Sequence, residues 1–341
     1  MNNTQIPYKY LKMANADVNL NIKNIKVNND VSVSDMLSYL SLKNGVFKAN
    51  IKSLKAGGGD INGSLGINAG SQTASVDLTG KNIILQQLNK SFANANNPYL
   101  QIKDGGKSNA MIRLTTGGKD TDQYLSNLNG EIVVLADKSV LKVKSLDKLR
   151  GNILVQILDM LKLNIVGSDL KLSCAVARTD IKGGTMNFPK GLVFDSNDFY
   201  LVADGKINLH DEKINLDIQP FSGKITDTSI SSILGGLLKI KGTISSPKIT
   251  INQTSTAKNV IAAVATAGMY NVGDLMLSAD QAPCHTALIG TPYADYFKAD
   301  NSVRGNVSRG YTSTKDTVSD IGKGIKKQAK DIKNQLKGLF K

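Results

Sequence analysis

The stretch Gly205-Lys206-Ile207-Asn208-Leu209-His210-Asp211-Glu212-Lys213-Ile214-Asn215-Leu216-Asp217-Ile218 decides the fold class. Ile207 and Leu209 alternate with polar residues on the way in, and Ile214, Leu216 and Ile218 do so on the way out. A period of two puts every second side chain on the same face of a strand. The polar run His210 to Lys213 supplies the turn, so the stretch reads as an antiparallel hairpin with one apolar and one wet face. Pro220 follows, and its missing amide hydrogen is expected to end the strand.

The same period extends outward in both directions. Upstream it runs through Val18, Leu20 and Ile22, through Leu65 and Ile67, and, after a turn at Gly70-Ser71, through Val76 and Leu78. It continues through Ile112 and Leu114, Ile132 and Val134, and then Leu170, Leu172, Cys174 and Val176, which places Cys174 on an apolar face. Downstream, Leu238, Ile240, Gly242 and Ile244 resume it, Pro247 turns the chain, and Ile249 and Ile251 close the series. Helical signals are few: Ser34 to Leu42, Thr121 to Leu128, Leu146 to Leu163, and the Ala-rich Ala257 to Ala267. Thr291 to Lys315, rich in Gly, Ser, Asn and Asp, reads as loop.

The end of the chain has a different period. From Asp316 to Lys341, Val318, Ile321, Ile325, Ile332, Leu336 and Leu339 recur at three- and four-residue steps. Lys323, Lys326, Lys327, Lys330, Lys333 and Lys337 fill most of the other positions, giving a basic amphipathic helix. Such a helix either caps the end of a sheet or lies on an anionic membrane surface, with another partner as the third reading.

Composition agrees with a β-rich chain. Of 341 residues 41 % are hydrophobic, but only 5 % are aromatic and none is Trp, so the apolar area comes from Ile, Leu and Val. Lys and Arg number 42 against 28 Asp and Glu, a net charge of +14 that favours anionic partners. Nucleic acid is disfavoured, because no zinc-finger spacing, aromatic RNP pair or recognition-helix pattern accompanies the charge. The first ten residues carry no export signal, and no run reaches the roughly 18 apolar residues of a membrane span.

No catalytic constellation emerges, and the chain is read as non-enzymatic, without cofactor or metal. His210 lies in a polar turn, and His285 beside Cys284 does not set a base against a nucleophile. Gly57-Gly58-Gly59 and Gly183-Gly184 lack the phosphate-loop frame and read as turn glycines. Cys174 and Cys284 are either two buried thiols or a disulfide, the latter requiring an oxidising compartment. Periodicity alone leaves two architectures: a sandwich whose sheets hide each other's apolar faces, or a curved sheet whose apolar face stays open.

Several motifs in order weigh toward the second. Cys174-Ala175-Val176-Ala177-Arg178-Thr179-Asp180-Ile181-Lys182-Gly183-Gly184, Asp204-Gly205-Lys206-Ile207-Asn208-Leu209 with Ile214-Asn215-Leu216-Asp217-Ile218-Gln219-Pro220, and Lys241-Gly242-Thr243-Ile244-Ser245-Ser246-Pro247-Lys248-Ile249 resemble the C-terminal region of AsmA-like envelope proteins of Gram-negative bacteria. Tyr124 to Glu131 and Ala282-Pro283-Cys284 are similar to further elements of that pattern, and the resemblance covers about Asn109 to Leu288. It implies a mainly β protein, a long twisted antiparallel sheet forming an open groove, with a few short helices and the amphipathic tail. It implies a periplasmic place, an inner-membrane anchor that this chain does not carry at its start, and a role in outer-membrane biogenesis. Kinship with repeating β-groove lipid-transfer proteins makes phospholipid the expected partner, with outer-membrane assembly proteins beside it. The expected organisation is 1–108 as the N-terminal part of the groove, 109–290 as the AsmA-like region, 291–315 as loop and 316–341 as helix. Leu172, Cys174, Ile207, Leu209, Leu216, Ile218, Ile240 and Ile244 are the candidates for lining the groove, and the six tail lysines for meeting a membrane.

Overall fold

The Gly205–Ile218 hairpin is one unit of a single antiparallel sheet of fifteen strands. The computed structural model describes residues 3–26, 32–87, 100–143, 169–196, 199–222, 238–251 and 282–297. The strands are β1 (Ala16–Lys26), β2 (Ser32–Lys43), β3 (Val46–Ala56), β4 (Gly59–Asn68), β5 (Thr73–Ile84), β6 (Leu100–Gly105), β7 (Lys107–Gly117), β8 (Asn129–Ala136), β9 (Ser139–Val143), β10 (Asp169–Lys182), β11 (Thr185–Ser196), β12 (Phe199–Asn208), β13 (Lys213–Ser222), β14 (Leu238–Thr243) and β15 (Pro247–Ile251). The main path runs β1-β2-β3-β4-β5-β7-β8-β10-β11-β12-β13-β14-β15 and does not close. Strand β9 pairs with β10 and β6 beside it. The sheet passes without a break through position 108, which lies inside β7.

Local chemistry makes the tight turns. Between β3 and β4, Gly57 and Gly58 take φ of 55° and 71°, and between β10 and β11, Gly183 and Gly184 take 53° and 69°. Paired left-handed residues match the twist of the flanking strands. In the β12–β13 turn the Asn208 carboxamide oxygen accepts from the amides of His210 and Asp211, at 2.9 and 3.2 Å.

Two short helices are described, α1 (Thr121–Ser126) and α2 (Pro283–Leu288), with a 3-10 turn at Tyr8–Lys12. Helix α1 lies where the sequence places one, capped by Asp120, whose carboxylate accepts from the Gln123 amide at 2.9 Å. The helix expected over Ser34 to Leu42 is instead strand β2. Met36, Ser38, Leu40 and Leu42 share one face, and the segment pairs with β1 and β3 on its two sides. Asp35, at φ 51°, marks the bulge at its start. Two neighbouring ladders outweigh a nine-residue helix that would be marginal alone. The helices expected at Leu146–Leu163, Ala257–Ala267 and 316–341 lie outside the described residues, as does the expected loop beyond 297.

Pro220 does not end β13, which continues to Ser222 with Pro220 opposite Leu201. Strand β14 pairs with β13 only as far as Ile218, so among the described residues Pro220 has a neighbour on one side only, where a missing amide is tolerated.

Candidate functional site

Register turns the alternation into two continuous rows. One reads Val18-Leu40-Ala49-Leu65-Val76-Leu114-Gly130-Ile181-Met186-Ile207-Ile214-Gly242-Pro247, a residue from every strand of the main path and none polar. The adjacent row, on the opposite face, reads Asn19-Tyr39-Asn50-Ser64-Asp77-Arg113-Glu131-Asp180-Asn187-Lys206-Asn215-Lys241-Lys248. In that polar row Arg113 bridges Asp77 and Glu131 at 3.8 and 3.2 Å. Thirteen strands at a spacing of about 4.8 Å make the apolar row about 58 Å long, measured along the sheet.

The apolar face is not uniform along that length. Over β1–β5, β7 and β8, Leu20, Leu65, Ile67, Val76, Leu78, Ile112, Leu114 and Ile132 are half-buried, and Val18 and Val134 are exposed at 41 % and 37 %. These side chains touch their neighbours in the sheet and present an unshielded apolar surface. Further along, the same face is closed: Leu172, Phe199, Leu201, Leu216, Ile218, Leu238 and Ile240 form a cluster of buried residues.

The candidate lining residues divide accordingly. Leu172, Leu216, Ile218 and Ile240 come together in the buried cluster, and Ile207 packs at its margin. Leu209 is half-buried at the end of the hairpin, its amide donating to the Gly184 carbonyl at 2.9 Å. Ile244 sits in the β14–β15 turn, 46 % exposed. Cys174 is on the opposite face from Leu172. Between them the β10–β11 register slips by one residue, and the paired strands alongside break at Asp137-Lys138. A bulge of one residue reverses the side-chain parity. The six tail lysines, Lys323 to Lys337, lie outside the described residues.

The open surface on β1–β8 was not singled out from sequence as a lining. Its strands were visible by period, but the motifs that suggested a groove, Tyr124 to Glu131 apart, lie further along the chain. A second signal was present in Asn62-Gly63-Ser64-Leu65, Asn129-Gly130-Glu131-Ile132 and Asp204-Gly205-Lys206-Ile207. Each glycine takes a φ of 137–144°. A Cβ at Gly130 would meet the Arg113 carbonyl oxygen at 1.9 Å, so this position bends the backbone in a way only glycine allows.

The back of the sheet is shielded by its own device. Cys174 and Cys284 form a disulfide with Cα atoms 6.5 Å apart, fixing α2 on β10 and β11. Cys284, Ala287 and Leu288 are buried against Met111, Val133, Leu135, Val176, Val193 and Val202. Arg178 donates to the carbonyls of Ala287 and Ile289 at 3.3 and 2.5 Å, satisfying the end of the helix, and the Tyr293 hydroxyl donates to the Ala110 carbonyl at 3.2 Å.

The polar groups do not assemble a catalytic site around either histidine. Cys284 is bound in the disulfide and offers no thiolate to His285. His210 Nδ1 lies 2.7 Å from Asp122 Oδ1 and 3.2 Å from Ser126 Oγ. A triad needs the carboxylate and the hydroxyl on different ring nitrogens, so this contact is a latch between α1 and the hairpin turn. Among the described residues no cluster of His, Cys, Asp or Glu could hold a metal, and no helix is long and apolar enough to cross a membrane.

No curated protein and no solved structure matches the chain. The model of the AsmA family matches residues 1–190, which takes in the first hundred residues and overlaps the resemblance read from the later motifs. With more than half its length matched and an unclosed antiparallel sheet among the described residues, the chain belongs to the AsmA family.

Proposed function

We propose that the chain is a non-enzymatic cell-envelope protein whose open apolar face carries phospholipid acyl chains between membranes. The observation behind this reading is the unbroken apolar row, half-buried or exposed in β1, β2, β4, β5, β7 and β8, while the row beside it is wholly polar. Family membership and the open sheet fit envelope biogenesis or lipid transport. The disulfide supports an oxidising compartment, the periplasm of a Gram-negative cell. In this reading the basic tail, with Lys323, Lys326 and Lys327 at its start, meets an anionic membrane.

Energetics suit passage better than storage. Moving a methylene from water to an apolar surface contributes about 0.8 kcal/mol, and an open face covers a chain on one side, so roughly half is recovered. About ten methylenes on each of a phospholipid's two acyl chains then contribute about 8 kcal/mol, a micromolar affinity that survives isolation and still lets the lipid leave. A second reading, a closed module that influences outer-membrane protein assembly without lipid, draws on the burial of the apolar face over β10–β14.

Native mass spectrometry of the full chain isolated from periplasm, beside Leu65→Asp/Leu114→Asp, separates the two. Both leucines are on the open face, whereas a charge at buried Leu216 would test folding instead. Phospholipid on the wild type, absent from a variant that keeps its β circular-dichroism spectrum and its disulfide, is the expected result. A lipid-free wild type, or lipid retained by the variant, overturns it.

A further inference from the structure

The two most exposed large hydrophobic side chains among the described residues are neighbours in sequence: Met13 at 75 % and Tyr10 at 59 %. They belong to the 3-10 turn Tyr8-Lys9-Tyr10-Leu11-Lys12 and the residue after it. This turn is tied down. Tyr8 is buried, its hydroxyl donating to the Gly118 carbonyl at 2.9 Å and lying 2.5 Å from the Tyr124 hydroxyl. The Ile6 amide donates to the Lys119 carbonyl, and the Thr121 amide returns to Thr4. The Lys12 stem lies beside Gly45, so the segment sits against the β2–β3 turn at one end of the sheet.

Charge around the exposed pair is of one sign. The Lys9 ammonium lies over the Tyr10 ring, 5.2 Å from its centroid. Among the described residues neither Lys9 nor Lys12 makes an ion pair. The carboxylates of the adjoining segments have other partners: Asp17 binds Lys43 and Tyr39, Asp120 caps α1, and Asp122 pairs with His210. An aromatic ring with a polar tip, a flexible apolar side chain and two cations, held on a fixed support, is the composition that favours a headgroup layer.

We infer that this turn docks the end of the sheet on an anionic phospholipid bilayer. Tyr10 and Met13 enter the boundary between headgroups and acyl chains, and Lys9 and Lys12 meet lipid phosphates. Strand β1 starts three residues after Met13, so docking would bring Val18, the first member of the apolar row, close to the lipid. The inference does not require lipid to lie along the sheet and can fail or hold independently of that reading.

The chain has no tryptophan, so Met13→Trp in the full chain is a unique reporter. With vesicles of phosphatidylglycerol in phosphatidylcholine its emission shifts to the blue and is quenched by lipids brominated high in the acyl chain. A matching Ile289→Trp reporter, on the back-face cap, stays in water. Adding Lys9→Gln/Lys12→Gln raises the lipid needed for half the Met13→Trp response about 25-fold, taking about fivefold per cation. An unshifted Met13→Trp reporter, whether the protein sediments with the vesicles through another segment or not at all, overturns the inference. So does an equal shift on pure phosphatidylcholine, or one that follows protein concentration without vesicles, which would mean a second copy.

Discussion

Removing the disulfide through Cys174→Ala/Cys284→Ala tests how the back of the sheet is closed. The bridge spans 110 residues. Chain entropy for a loop of that length gives about 5 kcal/mol at 25 °C, and measured disulfides usually contribute about 2–4 kcal/mol. What remains of the cap without it is small. Helix α2 is only six residues, too short to persist alone, and Pro283, Ala287 and Leu288 stay as its buried anchors. Burying the leucine contributes about 2 kcal/mol, and the Arg178 and Tyr293 bonds about 1 kcal/mol each. Without the covalent link these few contacts alone must order the segment from 282 to 297, so the cap is expected to detach once the bridge is gone.

The measurement is urea unfolding of the wild type, the wild type with reductant, and the double variant, with amide exchange followed at Val133, Leu135 and Val176. Midpoints about 1–2 M lower are expected for the last two samples, together with faster exchange on the back face, while the half-buried front strands keep theirs. If reduction leaves both the midpoint and the protection of Leu135 unchanged, side-chain packing alone holds the cap and the reasoning fails.

Gly130→Ala is expected to destabilise the sheet by about 2–5 kcal/mol, because the new methyl would lie 1.9 Å from the Arg113 carbonyl at a φ of 137°. Gly66→Ala is the control for the same urea assay: its methyl meets only the movable Ser75 hydroxyl, at 2.8 Å, and a loss under about 1 kcal/mol is expected. The Asp17 carboxyl is held down to about 2, first by the Tyr39 hydroxyl and then by Lys43. A depressed carboxylate contributes stability above its unfolded pKa near 4, and that contribution is lost as pH falls toward 2. Carbon-detected NMR titration should place the Asp17 midpoint near pH 2 and move it upward in Tyr39→Phe.

Alternation made the strands around Val18–Ile22, Leu65–Ile67, Val76–Leu78, Ile112–Leu114, Ile132–Val134, Leu170–Val176 and Leu238–Ile240 legible, and the Gly205–Ile218 hairpin pairs as its residues dictate. Three features were not legible, each for a physical reason. Ser34 to Leu42 contains apolar residues at both spacings, and only the neighbouring ladders decide for a strand. Leu172 and Cys174 are two apart in sequence, so period two puts them together. The bulge that separates them leaves no residue-level mark between Leu172 and Cys174. Whether Cys174 and Cys284 are thiols or a bridge depends on a contact across 110 residues. The named lining residues were placed near the motifs, whereas openness depends on what lies over a face, which no local pattern encodes.

The two rows constrain function more than either alone. A sheet with water on both sides would gain nothing from thirteen consecutive residues without a polar side chain, and a sandwich would bury that row along its whole length. In this sheet most of the row stays half-buried or exposed, a neighbouring stretch of the same face is buried over the C-terminal strands, and a disulfide-fixed cap shields an apolar patch on the other face. The back is therefore closed by the chain's own residues over the apolar patch formed by Met111, Val133, Leu135, Val176, Val193 and Val202. A half-exposed apolar front beside so specific a closure of the back is what the proposed lipid occupant requires, and a wholly polar row behind it would keep such an occupant to one face.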